Sequence, residues 1–142
     1  MSYEEKNTWS LGIIAVLGYA AYLVMAFLVG DGPLDPDTYM WPMVWAIGGG
    51  IVAGIVAGIL IGMASGGSMR RGATMIDRRD REIGWAGSRV GNSFIVIGGI
   101  GALILCFVDA PHVLIANTLY LGFVLAAILE TTTKIVIYRR GF

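Results

Sequence analysis

Apolar residues run along this chain in four long stretches separated by short polar clusters. The first runs from about Trp9 to Val29 and the second from about Trp41 to Ala64, neither carrying a charge. The third, from about Trp85 to Val108, is broken only by Arg89. The fourth, from about His112 to Tyr138, holds Glu130 and Lys134 near its end. A bilayer core ~30 Å thick is crossed by about 20 mostly apolar residues as a helix, and all four stretches reach that length. The pattern predicts an all-α, four-transmembrane-helix bundle: one integral membrane domain over residues 1–142, with a loop at 65–84. The first stretch is too long for the apolar part of a signal peptide. It is followed by Gly30-Asp31-Gly32-Pro33 and not by a small-residue cleavage site, so it reads as a retained span.

The polar punctuation agrees with these boundaries. Asp35-Pro36, Trp41-Pro42 and Asp109-Ala110-Pro111 put proline where a helix can begin without losing an internal hydrogen bond. The last of these leaves so short a connection that spans three and four must form an antiparallel hairpin. Ser65-Gly66-Gly67-Ser68 ends span two, and Thr74 with Asp77 has capping-box spacing. Span three is therefore expected to continue a helix that starts near Met75 and stands out of the membrane for its first turns. Arg78 and Glu82, like Asp77 and Arg81, are placed to support that segment at i,i+4.

Charge sorts by membrane side. With both termini in the cytoplasm, the inner side holds Lys6, Arg70, Arg71, Arg78, Arg79, Arg81, Arg89, Lys134, Arg139 and Arg140, which is all ten basic residues. The outer side holds Asp31, Asp35, Asp37 and Asp109 and no base. Basic residues in short loops set topology, so the expected arrangement is N-in/C-in in the plasma membrane of a prokaryote. Composition fits: 56% hydrophobic and 14% charged residues with mean hydropathy +0.74, where a soluble domain carries roughly a quarter charged residues. Ten acids against ten bases exclude a strongly basic nucleic-acid binder, and the lone Cys106 excludes an internal disulfide.

Glycine is in excess, and its placement is informative. Gly50, Gly54, Gly58, Gly62 and Gly66 follow a strict four-residue repeat along span two. Between helices in lipid, attraction comes largely from close van der Waals approach, which small residues permit. Span three offers Gly87 and Gly91 among glycines of mixed spacing, so spans two and three are expected to pack through these faces, within one chain or between copies. A pore lined by backbone is the remaining use of such a groove.

Polar groups at membrane depth are candidates for function. Glu130 lies roughly 27 Å along the fourth helix from His112, near the inner edge, with Lys134 one turn on. Equal distances from the hairpin turn set Arg89 within a turn of Glu130, so an Arg89–Glu130 pair at the inner interface is expected, with Lys134 beside it. Tyr19, Tyr22, Tyr120, Asn92, Asn117 and the threonines Thr131, Thr132 and Thr133 form the rest of the polar set; they serve a polar packing core, or else a pocket for a lipid or quinone-like ligand lies between the helices. No cofactor is implied. His112 beside Asp109 is too small a set for a metal, and no serine, histidine and acid set is present for nucleophilic catalysis, which points away from an enzyme.

Arg70, Arg71, Asp77, Arg78, Arg79, Asp80 and Arg81 make the inner loop a contact surface for anionic lipid or for a partner protein. Asp77-Arg78-Arg79-Asp80-Arg81-Glu82-Ile83 leading into a span resembles the acid-x-Arg-acid-x-x-Ile signature of an uncharacterised prokaryotic family of small four-helix membrane proteins. Pro111-His112 through Ala116-Asn117 to Tyr138-Arg139-Arg140-Gly141 is similar to that family's last span, while position 78 is Arg where the family carries an acid. The resemblance covers about residues 75–142 and implies no assigned activity, but a membrane-partner or sensor role. The sequence thus supports a non-enzymatic accessory, sensor or interaction subunit, acting through helix packing and the Arg-rich segment. Its partner would be a second copy or another membrane or cytoplasmic protein. The alternative is a small oligomeric transporter or channel with Glu130 as coupling residue.

Overall fold

The computed structural model describes residues 3–64 and 78–140. They form four helices: α1 Tyr3–Val29, α2 Met40–Ala64, α3 Arg78–Phe107 and α4 His112–Arg140. At 27, 25, 30 and 29 residues and about 1.5 Å per residue, each is long and apolar enough to cross a bilayer. Each expected span lies within one helix to a residue at its ends, with α1 beginning two turns before Trp9. Gly66, Arg70, Arg71 and Asp77 lie outside the described residues.

The helix ends follow from local chemistry. Asp35 organises the α1–α2 turn: its carboxylate accepts from the Thr38 hydroxyl at 2.7 Å and from the backbone N–H groups of Asp37 and Asp31. The Thr38 hydroxyl first, then those two N–H groups, hold the Asp35 carboxyl below the usual carboxylate range. Tyr39 then caps α2 through its carbonyl, which accepts from Met43 N–H, and Pro42 sits in the first turn where it sacrifices no helical bond. The α3–α4 connection is a Schellman closure: Asp109 takes φ 51°, Asp109 N–H returns to Cys106 O and Ala110 N–H to Leu105 O. Asp tolerates that left-handed conformation better than most residues.

Three substantial interfaces join α3 to α4, α4 to α1 and α1 to α2, so the helices run in space in the order α2, α1, α4, α3. Spans two and three share no interface of that extent, which corrects the expectation that they pack through facing glycines within one chain. The glycines of α3 meet α4 instead. Gly98 and Gly122 lie backbone to backbone, each so placed that a Cβ on it would fall 2.9 Å from the other's Cα. The hairpin explains this, since the two residues stand twelve positions on either side of Ala110.

Burial is inverted relative to a water-soluble bundle. Leu28, Trp45, Ile55, Ile97, Phe107 and similar side chains point outward. The interior is built from Tyr22, Ala26, Met43, Ala46, Tyr120 and Val124 of α1, α2 and α4. In water, so continuous an apolar surface would drive aggregation; in hydrocarbon it is solvated.

Candidate functional site

Two polar constellations lie at opposite ends of the helices. At the end carrying the α1–α2 turn, three tyrosines form a cluster, with Tyr22 and Tyr120 edge to face at 5.2 Å and Tyr19 within 6.0 Å of both rings. Such aromatic pairs add about 0.5–1.5 kcal/mol beyond burial. Tyr22 is fully buried, and its hydroxyl donates to Asn117 Oδ1 at 2.6 Å. Asn117 Nδ2 donates to the carbonyls of Pro33 and Val113, each at 2.8 Å. The amide thus fastens the α1–α2 turn onto α4, while Asn92 is exposed on α3, away from this cluster.

Asn117→Leu is expected to lower stability by about 1–2 kcal/mol, given that single hydrogen bonds in membrane proteins average ~0.6 and reach ~1.7 kcal/mol. A thermal melt in mild detergent measures it, together with faster proteolysis within residues 30–39. A melt and a cleavage rate equal to wild type would remove Asn117 from this role.

The second constellation is at the end carrying the chain termini. Lys134 Nζ donates to Glu130 Oε1 at 2.6 Å, and Ser88 Oγ of α3 donates to the same oxygen at 3.2 Å. Gly87 and Gly91 make room for the pair: a Cβ on Gly87 would fall 2.6 Å from Lys134 Cγ, and one on Gly91 would fall 2.9 Å from Glu130 Oε2. One turn of α4 further toward that end, Tyr138 Oη donates to Asp80 Oδ1 at 3.0 Å, tying the start of α3 to the end of α4. Arg78 and Glu82 approach to 3.8 Å on the exposed side, and Arg79 and Arg81 are exposed.

Arg89 is exposed, and no ion pair joins it to Glu130 among the described residues. Its depth matches Glu130, but its phase does not. Gly87 and Gly91 face α4, and Arg89, two residues from each, lies about 200° around the helix. Ser88, Tyr138 with Asp80, and the Gly98–Gly122 contact were missed by sequence reasoning. The hairpin rule that placed Arg89 near Glu130 also sets Ser88 within a turn of Glu130, Asp80 within a turn of Tyr138 and Gly98 opposite Gly122, so all three were within its reach in depth.

The α2 glycines behave differently. A Cβ on Gly54 would only touch Leu11 at 3.8 Å, and one on Gly50 or Gly58 would meet nothing within 4 Å. A strict four-residue row drifts about 40° per step around a helix of 3.6 residues per turn, so it winds off the face that meets α1. Gly62 is buried. Among the described residues no group of three His, Cys, Asp or Glu side chains is placed to hold a metal, and Cys106 is exposed. No protein-family model, curated protein or solved structure matches the chain, so the resemblance over residues 75–142 shows no family.

Proposed function

We propose that this small membrane protein is a non-enzymatic accessory or sensor subunit, which docks another transmembrane helix against α2 and presents the basic start of α3 at the membrane surface. The position of α2 carries this reading. It stands at the edge of the helix row, its one substantial interface is with α1, and Gly50 and Gly58 look into open space. Small residues on an uncovered face suit close helix approach in lipid. The occupant is a second copy of this chain or a helix of another protein. Both termini, with Lys6, Arg78, Arg79, Arg81, Arg139 and Arg140, are assigned to the cytoplasmic side of a prokaryotic plasma membrane on the positive-inside rule.

Gly50→Ile with Gly58→Ile is the sharpest test, because those side chains enter open space and spare the α1 contact. The doubly substituted chain is expected to keep its helix content and melting temperature while losing association, read by energy transfer between labelled copies in liposomes and by co-purification in mild detergent. Unchanged association refutes the docking face. Ion or solute flux in proteoliposomes that disappears on Glu130→Gln would establish the transport reading in its place. A periplasm-only reporter active at the C-terminus would overturn the orientation.

A further inference from the structure

Between α1 and α4, at the end carrying the termini, lies an open groove of about 380 Å³. That is within the ~300–1,000 Å³ range of small-molecule sites. Ile13, Val16 and Leu17 of α1 and Ile128, Ile135 and Val136 of α4 wall it, and Trp9 closes its terminal end. Thr132, also in the wall, spends its hydroxyl on the Ile128 carbonyl at 2.7 Å, so the lining offers little to a polar ligand. The groove exists because Thr131 faces Gly12 at the crossing, where a Cβ on Gly12 would fall 2.5 Å from Thr131 Cγ2. The helices touch there through small groups, and their larger side chains splay to either side.

Positive charge gathers at the closed end. The Arg139 guanidinium sits 5.7 Å from the centroid of the Trp9 ring, within cation–π reach. Arg140 follows it, and Lys6 precedes Trp9 by about one turn of α1; all three are exposed. Among the described residues no ion pair takes Arg139 or Arg140. Asp80, an acid of the first turn of α3, accepts the Tyr138 hydroxyl, and Glu5 stands beside Lys6 on α1. The indole N–H of Trp9 is buried, so contact with a ligand head at this end falls to the guanidinium.

We propose that this groove is a specific site for one anionic phospholipid, its acyl chain lying along Ile13, Val16, Ile128 and Ile135 and its phosphate held by Arg139 with help from Arg140 and Lys6. Guanidinium is the side chain best matched to phosphate, through paired N–H donors. The groove runs along the helices from an apolar depth to a charged end, which is the layout of a phospholipid in its own leaflet. A neutral, purely apolar ligand would make no use of the exposed guanidinium at the groove's end, and a free anion would leave the groove unfilled.

The test uses the full chain in mild detergent, titrated with phosphatidylglycerol or phosphatidylcholine of identical acyl chains and read by native mass spectrometry. One phosphatidylglycerol is expected to bind in preference to phosphatidylcholine. Arg139→Gln should weaken phosphatidylglycerol about fivefold, as removal of one surface cation would, and leave phosphatidylcholine unchanged. Val16→Trp, which fills the groove from an exposed position, should weaken both lipids; Leu17→Trp does the same from the next residue if the first variant unfolds. Equal affinity for the two head groups overturns the proposal, as does a preference that survives Arg139→Gln with Arg140→Gln. So does lipid binding untouched by either groove-filling variant in a chain that keeps its melting temperature.

Discussion

Gly122→Leu is expected to cost about 3 kcal/mol or more and to separate α3 from α4. The neighbour that a new side chain would strike is the Gly98 backbone at 2.9 Å, and backbone cannot rotate aside as a side chain can. Overpacking a protein core costs about 1–3 kcal/mol even where side chains absorb part of the strain. Here the only relief is to move two helices apart along the largest interface of the chain. In lipid, no hydrophobic force would draw them together again. Gly98→Leu should behave alike. Gly99→Leu is the control, since a Cβ there meets nothing within 4 Å. It sits at the same depth on the same helix and should shift stability by less than about 0.5 kcal/mol. Reversible unfolding in mixed detergent, followed by circular dichroism, separates these outcomes. Equal stability of Gly122→Leu and Gly99→Leu would show that the α3–α4 contact does not hold the fold.

The same contact shows what the sequence made legible and what it hid. The number of spans and most of their ends follow from a single physical length, the hydrocarbon thickness; only α1 and α3 begin about two turns before the expected spans. Depth was legible as well, because the short connection around Asp109-Ala110-Pro111, four residues from Val108 to Pro111, fixes which residues of α3 and α4 stand opposite one another. Phase was read less well. The most regular glycine pattern, on α2, does not mark a contact with α3 inside the chain: Gly50 and Gly58 face open space and Gly54 only brushes Leu11 of α1, because a four-residue row rotates steadily around its helix. On α3, Gly91 and Gly98 are seven apart, and a heptad drifts only about 20° from a fixed direction. That spacing, together with the buried Gly87 and Ala102, keeps one face turned to α4. Arg89 fails as a partner of Glu130 for the same reason: it stands opposite that heptad face.

The tyrosine and asparagine cluster was legible as a set of residue types but not as a device. Tyr22 and Asn117 are 95 residues apart, and the carbonyl that Asn117 shares with the turn belongs to Pro33, 84 residues away. A backbone acceptor has no sequence signature, so only the fold could reveal that these side chains fasten the α1–α2 turn. The groove beneath Arg139 was hidden for a related reason. Gly12 and Thr131 are ordinary small residues until α1 and α4 are seen to cross at them.

Lys134→Met is expected to destabilise the chain more than Glu130→Gln does, by about 2 kcal/mol against less than about 1 kcal/mol. Breaking a fully buried ion pair by removing one partner costs about 3–5 kcal/mol. The side chains here are 22% exposed for Lys134 and 33% for Glu130, so solvent screening reduces that figure. The two losses differ because the two side chains differ in reach. Without Lys134, the short Glu130 carboxylate keeps only the Ser88 hydroxyl beside Gly91, and its short stem reaches less far toward water than a lysine's. Without the carboxylate, the long Lys134 stem can carry its ammonium toward the interface. The double variant should therefore be more stable than Lys134→Met alone, because no unpaired carboxylate remains at membrane depth. Unfolding free energies of the four chains close a double-mutant cycle. If Glu130→Gln proves the costlier single change, the ammonium is the trapped charge, and the pair faces the interior in the opposite sense.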